Sequence, residues 1–207
     1  MNGKINNNIK EIFYNNLCNQ CIEILIEAYK LSQQHSIYSD DWEEDDFTAL
    51  LVDEYMEKVP LKYKECWFVA PQRPFYSEIH LKGEEQSKKA PRPDIRFEKY
   101  IFSNPIPFKY TIEAKILKSN SSRLKRRYIT TGIDNFKTKR YPEGCLAGYI
   151  IKCKTRDCVV GINKLLLNDK RDQELLMHSK LIDGFEDSYN SSHNNGSFTL
   201  KHVFLEF

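Results

Sequence analysis

Pro93-Asp94-Ile95-Arg96-Phe97 and, after a loop, Tyr110-Thr111-Ile112-Glu113-Ala114-Lys115-Ile116-Leu117 are the stretch on which the reading of this chain turns. Side chains alternate between the two faces of a strand. Ile112, Ala114 and Ile116 therefore share one face, and Glu113 and Lys115 share the other. An apolar strand with a carboxylate and an ammonium on one side, beside a strand opened by an aspartate, has the makings of a site for a hard cation. Asp94 and Glu113 offer the oxygen ligands that Mg²⁺ favours, leaving positions for water and a phosphate oxygen. Lys115 would steady an attacking water or a developing negative charge.

The short Pro-rich connection over 101–107 makes the two strands antiparallel neighbours. Downstream, residues 118–140 hold eight Lys or Arg against one acid, Asp134. This tract reads as a polar turn followed by a helix over about 125–140. It contains Arg123, Lys125, Arg126, Arg127, Lys137, Lys139 and Arg140, interleaved with Tyr128 and Phe136 and followed by Tyr141. Basic side chains among aromatics suit a phosphate backbone and exposed bases. Cys145 to Ile151 reads as a buried strand. Upstream, apolar residues at helical intervals predict a helix over 8–33, and a second starts near Asp41 with acids in its first turn and ends before Pro60. Glu43 and Glu44 both lie one turn before Phe47, so either can face inward. Strands are expected at Cys66–Ala70 and Glu78–Leu81, with a solvated loop over 82–89.

Beyond the buried strand, Thr155 caps a helix through Cys158, Ile162 and Leu166, and more helix is expected around Gln173 to Leu181. Ser188 to Ser197 reads as loop, with Asn194-Asn195-Gly196 a turn, and 198–207 as a terminal strand. His193 and His202 read as structural.

Asp94 preceded by Pro93, with Glu113-Ala114-Lys115 nineteen residues on, resembles the PD-(D/E)xK motif of the restriction-endonuclease-like nucleases. The order of elements over residues 40–152 is similar to the αβββαβ core of that family. The resemblance implies an α/β fold with a central mixed β-sheet flanked by helices, here with an N-terminal helical extension (1–39) and a C-terminal part (153–207) of helices and a terminal strand in one domain of 1–207. The resemblance implies a Mg²⁺-dependent nuclease, with Mn²⁺ as substitute, acting on phosphodiester bonds, with DNA as the expected target. Asp94, Glu113 and the backbone carbonyl of Ala114 would hold the metal, and Lys115 would position or activate the water. A glutamate from the second helix would complete the set, Glu44 preferred and Glu43 second. Many family members act in restriction or defence against foreign DNA.

Composition sets the outer bounds. The 207 residues suffice for one domain with a core, and 41% hydrophobic with 29% charged residues is a globular balance. No apolar run approaches the roughly 20 residues of a membrane span, and no apolar signal core opens the chain, so a cytoplasmic protein with no membrane partner is expected. The net charge of +2 conceals a split: residues 1–60 sum to −8 and residues 61–207 to +10. Such a split favours a polyanion partner for the second part. The six cysteines form no zinc-ligand pattern and read as reduced and structural. No separate specificity domain is apparent, so a homodimer or a partner subunit is the expected source of target recognition. The rival reading is a non-catalytic module that binds nucleic acid or a partner protein.

Overall fold

The computed structural model describes residues 7–35, 37–60, 67–72, 74, 90–101, 104–141 and 143–207. Among these residues a seven-stranded mixed sheet is formed by strands β1 (Trp67–Pro71), β2 (Ile95–Ile101), β3 (Asn104–Leu117), β4 (Gly144–Ile150), β5 (Met177–His178), β6 (Ser188–His193) and β7 (Phe198–Glu206). Their spatial order is β1-β2-β3-β4-β7-β6-β5. The pairs β1/β2 and β2/β3 are antiparallel, β3/β4 and β4/β7 parallel, and β7/β6 and β6/β5 antiparallel. Helices flank the sheet: α1 (Asn7–Gln33), α2 (Glu44–Ala49), α3 (Ser122–Arg127), α4 (Asp134–Lys137) and α5 (Thr155–Asn168). This is the expected α/β architecture with a central mixed sheet.

Each face of the sheet has its own core. Ile112 and Ala114 of β3, Cys145, Ala147 and Tyr149 of β4, and Val203 and Leu205 of β7 point toward α1 and α2, where Ile22, Leu25 and Phe47 meet them. The alternate positions Leu117, Leu146, Ile150, Leu200 and Phe204 pack under Tyr128, Ile129, Ile133, Cys158 and Ile162. Strand β4 lies between two parallel neighbours and is buried throughout. That is why its sequence is a nearly continuous apolar run rather than an alternation.

Helix α2 begins at Glu44 rather than Asp41, and continues as a π turn (Leu50–Tyr55) and a 3₁₀ turn (Met56–Lys58). The basic helix begins at Ser122, capped by the Ser121 hydroxyl, which accepts from the Leu124 amide. A π turn over Tyr128–Ile133 joins α3 to α4. Cys18, Cys21, Cys145, Cys153 and Cys158 are all free thiols. No helix among the described residues is long and apolar enough to cross a membrane. The strand expected at 78–81 and the loop at 82–89 lie outside the described residues.

Two expectations for the C-terminal part are corrected. Residues 173–181 form no α-helix: a single 3₁₀ turn (Asp172–Glu174) leads into β5. The Asn163 side chain takes both backbone groups of Leu176, accepting from its N–H at 2.9 Å and donating to its carbonyl at 3.0 Å. Those bonds stand in for helical ones and hold the segment extended. Residues 188–193 are not loop but strand β6, paired along its length with β7. Its polar composition conceals burial, because its side chains satisfy one another.

The buried polar chain runs Tyr128 Oη to His202 Nδ1 (2.9 Å), His202 Nε2 to Ser191 Oγ (2.7 Å), Ser191 Oγ to His193 Nε2 (2.6 Å) and His193 Nδ1 to Glu174 Oε2 (2.8 Å). A carboxylate can only accept, which orients every bond toward Glu174. With both imidazoles neutral, Tyr128 donates to His202, His202 to Ser191, Ser191 to His193 and His193 to Glu174. Burial holds the pKa of His202 down at about 3, with His193 adding to the effect. For Glu174, burial is outweighed by Arg171 and Lys137, which bring its pKa down to about 2.

Candidate metal and phosphate site

Strand β3 outruns β2. The last pair in their register is Ile95 with Ile112, so among the described residues the edge of β3 from 113 onward has no strand partner on that side. A buried strand edge needs acceptors for its amides. Asp94, the residue just before β2, supplies the first: its Oδ2 accepts from the Ala114 N–H at 2.6 Å. Glu44, at the start of α2, supplies the second: its Oε2 accepts from the Ile116 N–H at 3.1 Å. The β2/β3 register thus sets Asp94 beside Glu113, and the unpaired edge draws in Glu44.

Lys115 lies at the focus of these groups. Its Nζ stands 2.7 Å from Glu113 Oε1, 3.0 Å from Glu44 Oε1 and 3.8 Å from Asp94 Oδ2, and it donates to the Ala114 carbonyl as well. Asp94, Glu113 and Lys115 are buried, with Lys115 only 3% exposed. Arg127 of α3 approaches from the solvent side, 3.2 Å from Glu44 Oε1. Among the described residues, three carboxylates therefore face one buried ammonium and one exposed guanidinium.

The electrostatics follow from that imbalance. Burial pushes Asp94 up to about 7, Glu113 adds to the rise, and Lys115 and the Ala114 amide oppose it. Burial also raises Glu113, against the pull of Lys115. For Lys115, burial disfavours the ammonium, but Glu113, Asp94 and Glu44 outweigh it and hold the pKa above the ordinary lysine value. Tyr141 lies near enough to Glu113 to favour its ionised form, yet its hydroxyl donates to the Arg92 carbonyl at 3.3 Å.

Among the described residues, no group of three or more His, Cys, Asp or Glu side chains is spaced to enclose a metal ion by itself. The donor set nevertheless suits a hard cation in kind, being oxygen throughout: two or three carboxylates and the Ala114 carbonyl. Glu113 Oε2 is buried and has no hydrogen-bond partner among the described residues. Such an atom is costly unless something binds it. In this arrangement the Lys115 ammonium is the cation that the carboxylates share, so a metal would have to take over part of its contacts.

Of the basic residues singled out in the sequence, Arg123 and Arg127 reach the site's surroundings. They line a cleft of about 580 Å³ together with Glu44, Ile116, Lys118 and Trp42. The others do not gather there. Lys125 is buried, and its ammonium donates to the Ser119 carbonyl. Its stem lies against Gly161 of α5, where an added Cβ would stand 2.5 Å from Lys125 Cε. Lys125 is therefore withdrawn from the surface that the sequence assigned to it. Arg126 pairs with Asp169, and Lys137 with Glu174. Lys139 and Arg140 are exposed beyond the end of α4. Glu43 is also exposed, its own N–H held by Asp46 Oδ2 at 2.8 Å, and it takes no part in the Lys115 cluster. The sequence placed Tyr141 among the aromatics of the basic tract but not beside Glu113, and it gave no signal for Trp42; no spacing rule would have found either position.

The fold and site together describe an α/β domain whose mixed sheet carries a buried Asp–Glu–Lys cluster at the free edge of β3. Comparison with protein-family models, with curated proteins and with solved structures finds no match.

Proposed function

We propose that the chain is a metal-dependent nuclease of the PD-(D/E)xK kind, using Mg²⁺ or Mn²⁺ to hydrolyse phosphodiester bonds of nucleic acid, with DNA as the first substrate to try. The observation that carries this reading is the meeting of Asp94, Glu113, Lys115 and Glu44 on one strand edge beside a cleft lined by arginines. Asp94, Glu113 and the Ala114 carbonyl would hold the metal, with Glu44 as a further ligand. When bound, the metal would polarise a phosphoryl oxygen and ease deprotonation of water.

The chain's own residues have distinct tasks. The Asp94 carboxylate is fixed by the Ala114 amide, so its free oxygen keeps one orientation. Lys115, released from part of its carboxylate contacts, is a donor for the charge that develops on the attacking or non-bridging oxygen. Glu44 holds the edge of β3 and, through Arg127, ties the site to the basic helix. Arg123 and Arg127 bear on the backbone beside the scissile phosphate.

Incubating plasmid and single-stranded DNA with Mg²⁺ or Mn²⁺ tests this. Cleavage is expected, abolished by EDTA and by Asp94→Ala or Glu113→Ala. Wild-type rates in either variant would sink the assignment. One observation favours the second reading, a non-catalytic binding module: the Lys115 ammonium already neutralises part of the acidic cluster without metal. Nucleic-acid binding with no cleavage under any divalent ion would decide for it.

A further inference from the structure

The cleft beside the site has a mixed lining. Lys118, Arg123 and Arg127 supply its basic groups, and Trp42 lines it together with the exposed acids Glu43 and Asp45 and with Glu44, which is paired with Arg127. Trp42 is anchored from behind by Phe47, with ring centroids 5.4 Å apart and planes at 65°. Its partial exposure places part of the indole in the cleft. A phosphate is drawn to Arg123 and Arg127 and repelled by Glu43 and Asp45 beside Trp42. Within a polyanionic partner, the part that can lie against Trp42 is one that is flat, apolar on its faces and uncharged. A nucleobase meets all three conditions, and base–aromatic stacking is indifferent to sequence. The volume of about 580 Å³ falls within the range of about 300–1,000 Å³ for small-ligand sites, so it suits a nucleotide rather than a length of helix.

We propose that this cleft takes one unstacked nucleotide, with its base on Trp42 and its phosphate on Arg123 and Arg127. The preferred substrate is then a single strand or a frayed end rather than continuous duplex. This deepens the nuclease reading and rests on it for the nature of the substrate. In a duplex the bases already stack on one another and offer no free face to Trp42, so the duplex gains only the arginine contacts.

The test is binding in EDTA, where no cutting occurs, of oligothymidylate and of a blunt duplex. Trp42→Leu keeps an apolar contact to Phe47 but has no ring, and Trp42→Phe keeps a smaller ring. Single-strand affinity is expected to fall in the order Trp, Phe, Leu, by roughly 5- to 150-fold in total, the loss of one stacked base. Duplex affinity should stay within two-fold of wild type, as a rough bound for a contact that the duplex does not make. In a Trp67→Phe background, Trp42 is the sole tryptophan, and oligothymidylate should quench its fluorescence. Thermal melts confirm that the variants are folded; if Trp42→Leu is not, Trp42→Phe and the quenching decide. Unchanged single-strand binding, equal losses on both substrates or absence of quenching overturns the proposal. If the wild type cuts DNA but Trp42 proves irrelevant, stacking alone falls. If Trp42 stacks but no divalent ion supports cutting, the nuclease reading alone falls.

Discussion

Glu44 and Ile116 are 72 residues apart in the chain, and the Glu44 carboxylate accepts the Ile116 amide at 3.1 Å while its other oxygen faces the Lys115 ammonium. One side chain thus closes the free edge of β3 and completes the ring of carboxylates around Lys115. Glu43, its neighbour, does neither.

This separates the two acids experimentally. Glu44→Ala leaves a partly buried amide without its acceptor and should lower stability by about 1–3 kcal/mol in urea melts. Glu44→Gln keeps an acceptor but not the charge, so it should restore most of the stability while cleavage stays impaired. Glu43→Gln should leave both within error. Equal effects at the two positions would remove Glu44 from the site.

Lys115→Met should separate chemistry from charge balance. Removing the buried cation from an acidic cluster costs about 3–5 kcal/mol, and the metal-free variant should melt well below wild type. Ca²⁺ binding to the native state would offset that loss, so Ca²⁺ should raise the melting temperature of the variant more than that of wild type. Cleavage in Mg²⁺ should be lost, while nucleic-acid affinity stays within a few-fold. A Ca²⁺ effect in neither protein would mean that the carboxylates hold no divalent ion.

The basic helix should divide into contacts and supports. Neutralising Arg123 and Arg127 together should weaken binding across all sequences and reduce the log–log salt slope, by about 0.9 per phosphate contact on duplex and about 0.7 on single strands. Lys125→Ala should lower the melting temperature instead, because its ammonium is buried on the Ser119 carbonyl. Titrations in EDTA at several salt concentrations give the slopes. An unaltered slope in the double arginine variant would take α3 out of the interface.

Two buried groups pull the pH dependence of stability in opposite directions. His202 has a folded pKa of about 3 against an ordinary 6.5, so the unfolded chain binds the extra proton between those values. Its contribution therefore falls as pH falls through that window, by about 1.4 kcal/mol per pH unit. Asp94 is raised from 3.8 to about 7, so the folded chain binds the extra proton and stability falls as pH rises through that range. Asp94→Asn removes the second effect. Its stability in EDTA should fall more steeply than that of wild type on acidification from neutral pH, and should exceed wild type most clearly above pH 7. Parallel curves for the two proteins would show that Asp94 titrates normally.

Much was legible in the residues themselves. The alternation around Glu113 and Lys115, the helical stripes of α1 and α2 and the apolar run of β4 depend on local periodicity, which burial imposes directly on sequence. The antiparallel pairing of β2 and β3 followed from their short connection. Residues 173–181 and 188–193 misled, because side-chain hydrogen bonds from Asn163 and among Ser191, His193 and His202 replaced the apolar signal that normally marks buried structure.

What the chain could not state locally was register and reach. Whether Asp94 meets Glu113 depends on Ile95 pairing with Ile112 and not with a residue two positions away. The choice of Glu44 over Glu43 depends on β3 outrunning β2 and leaving the Ile116 amide to be satisfied. Lys125 looks like its basic neighbours in sequence and is buried only because Gly161 of a later helix leaves room for its stem. These are contacts between distant parts of the chain, set by packing and by the cost of unsatisfied backbone groups, and only the tertiary structure decides them.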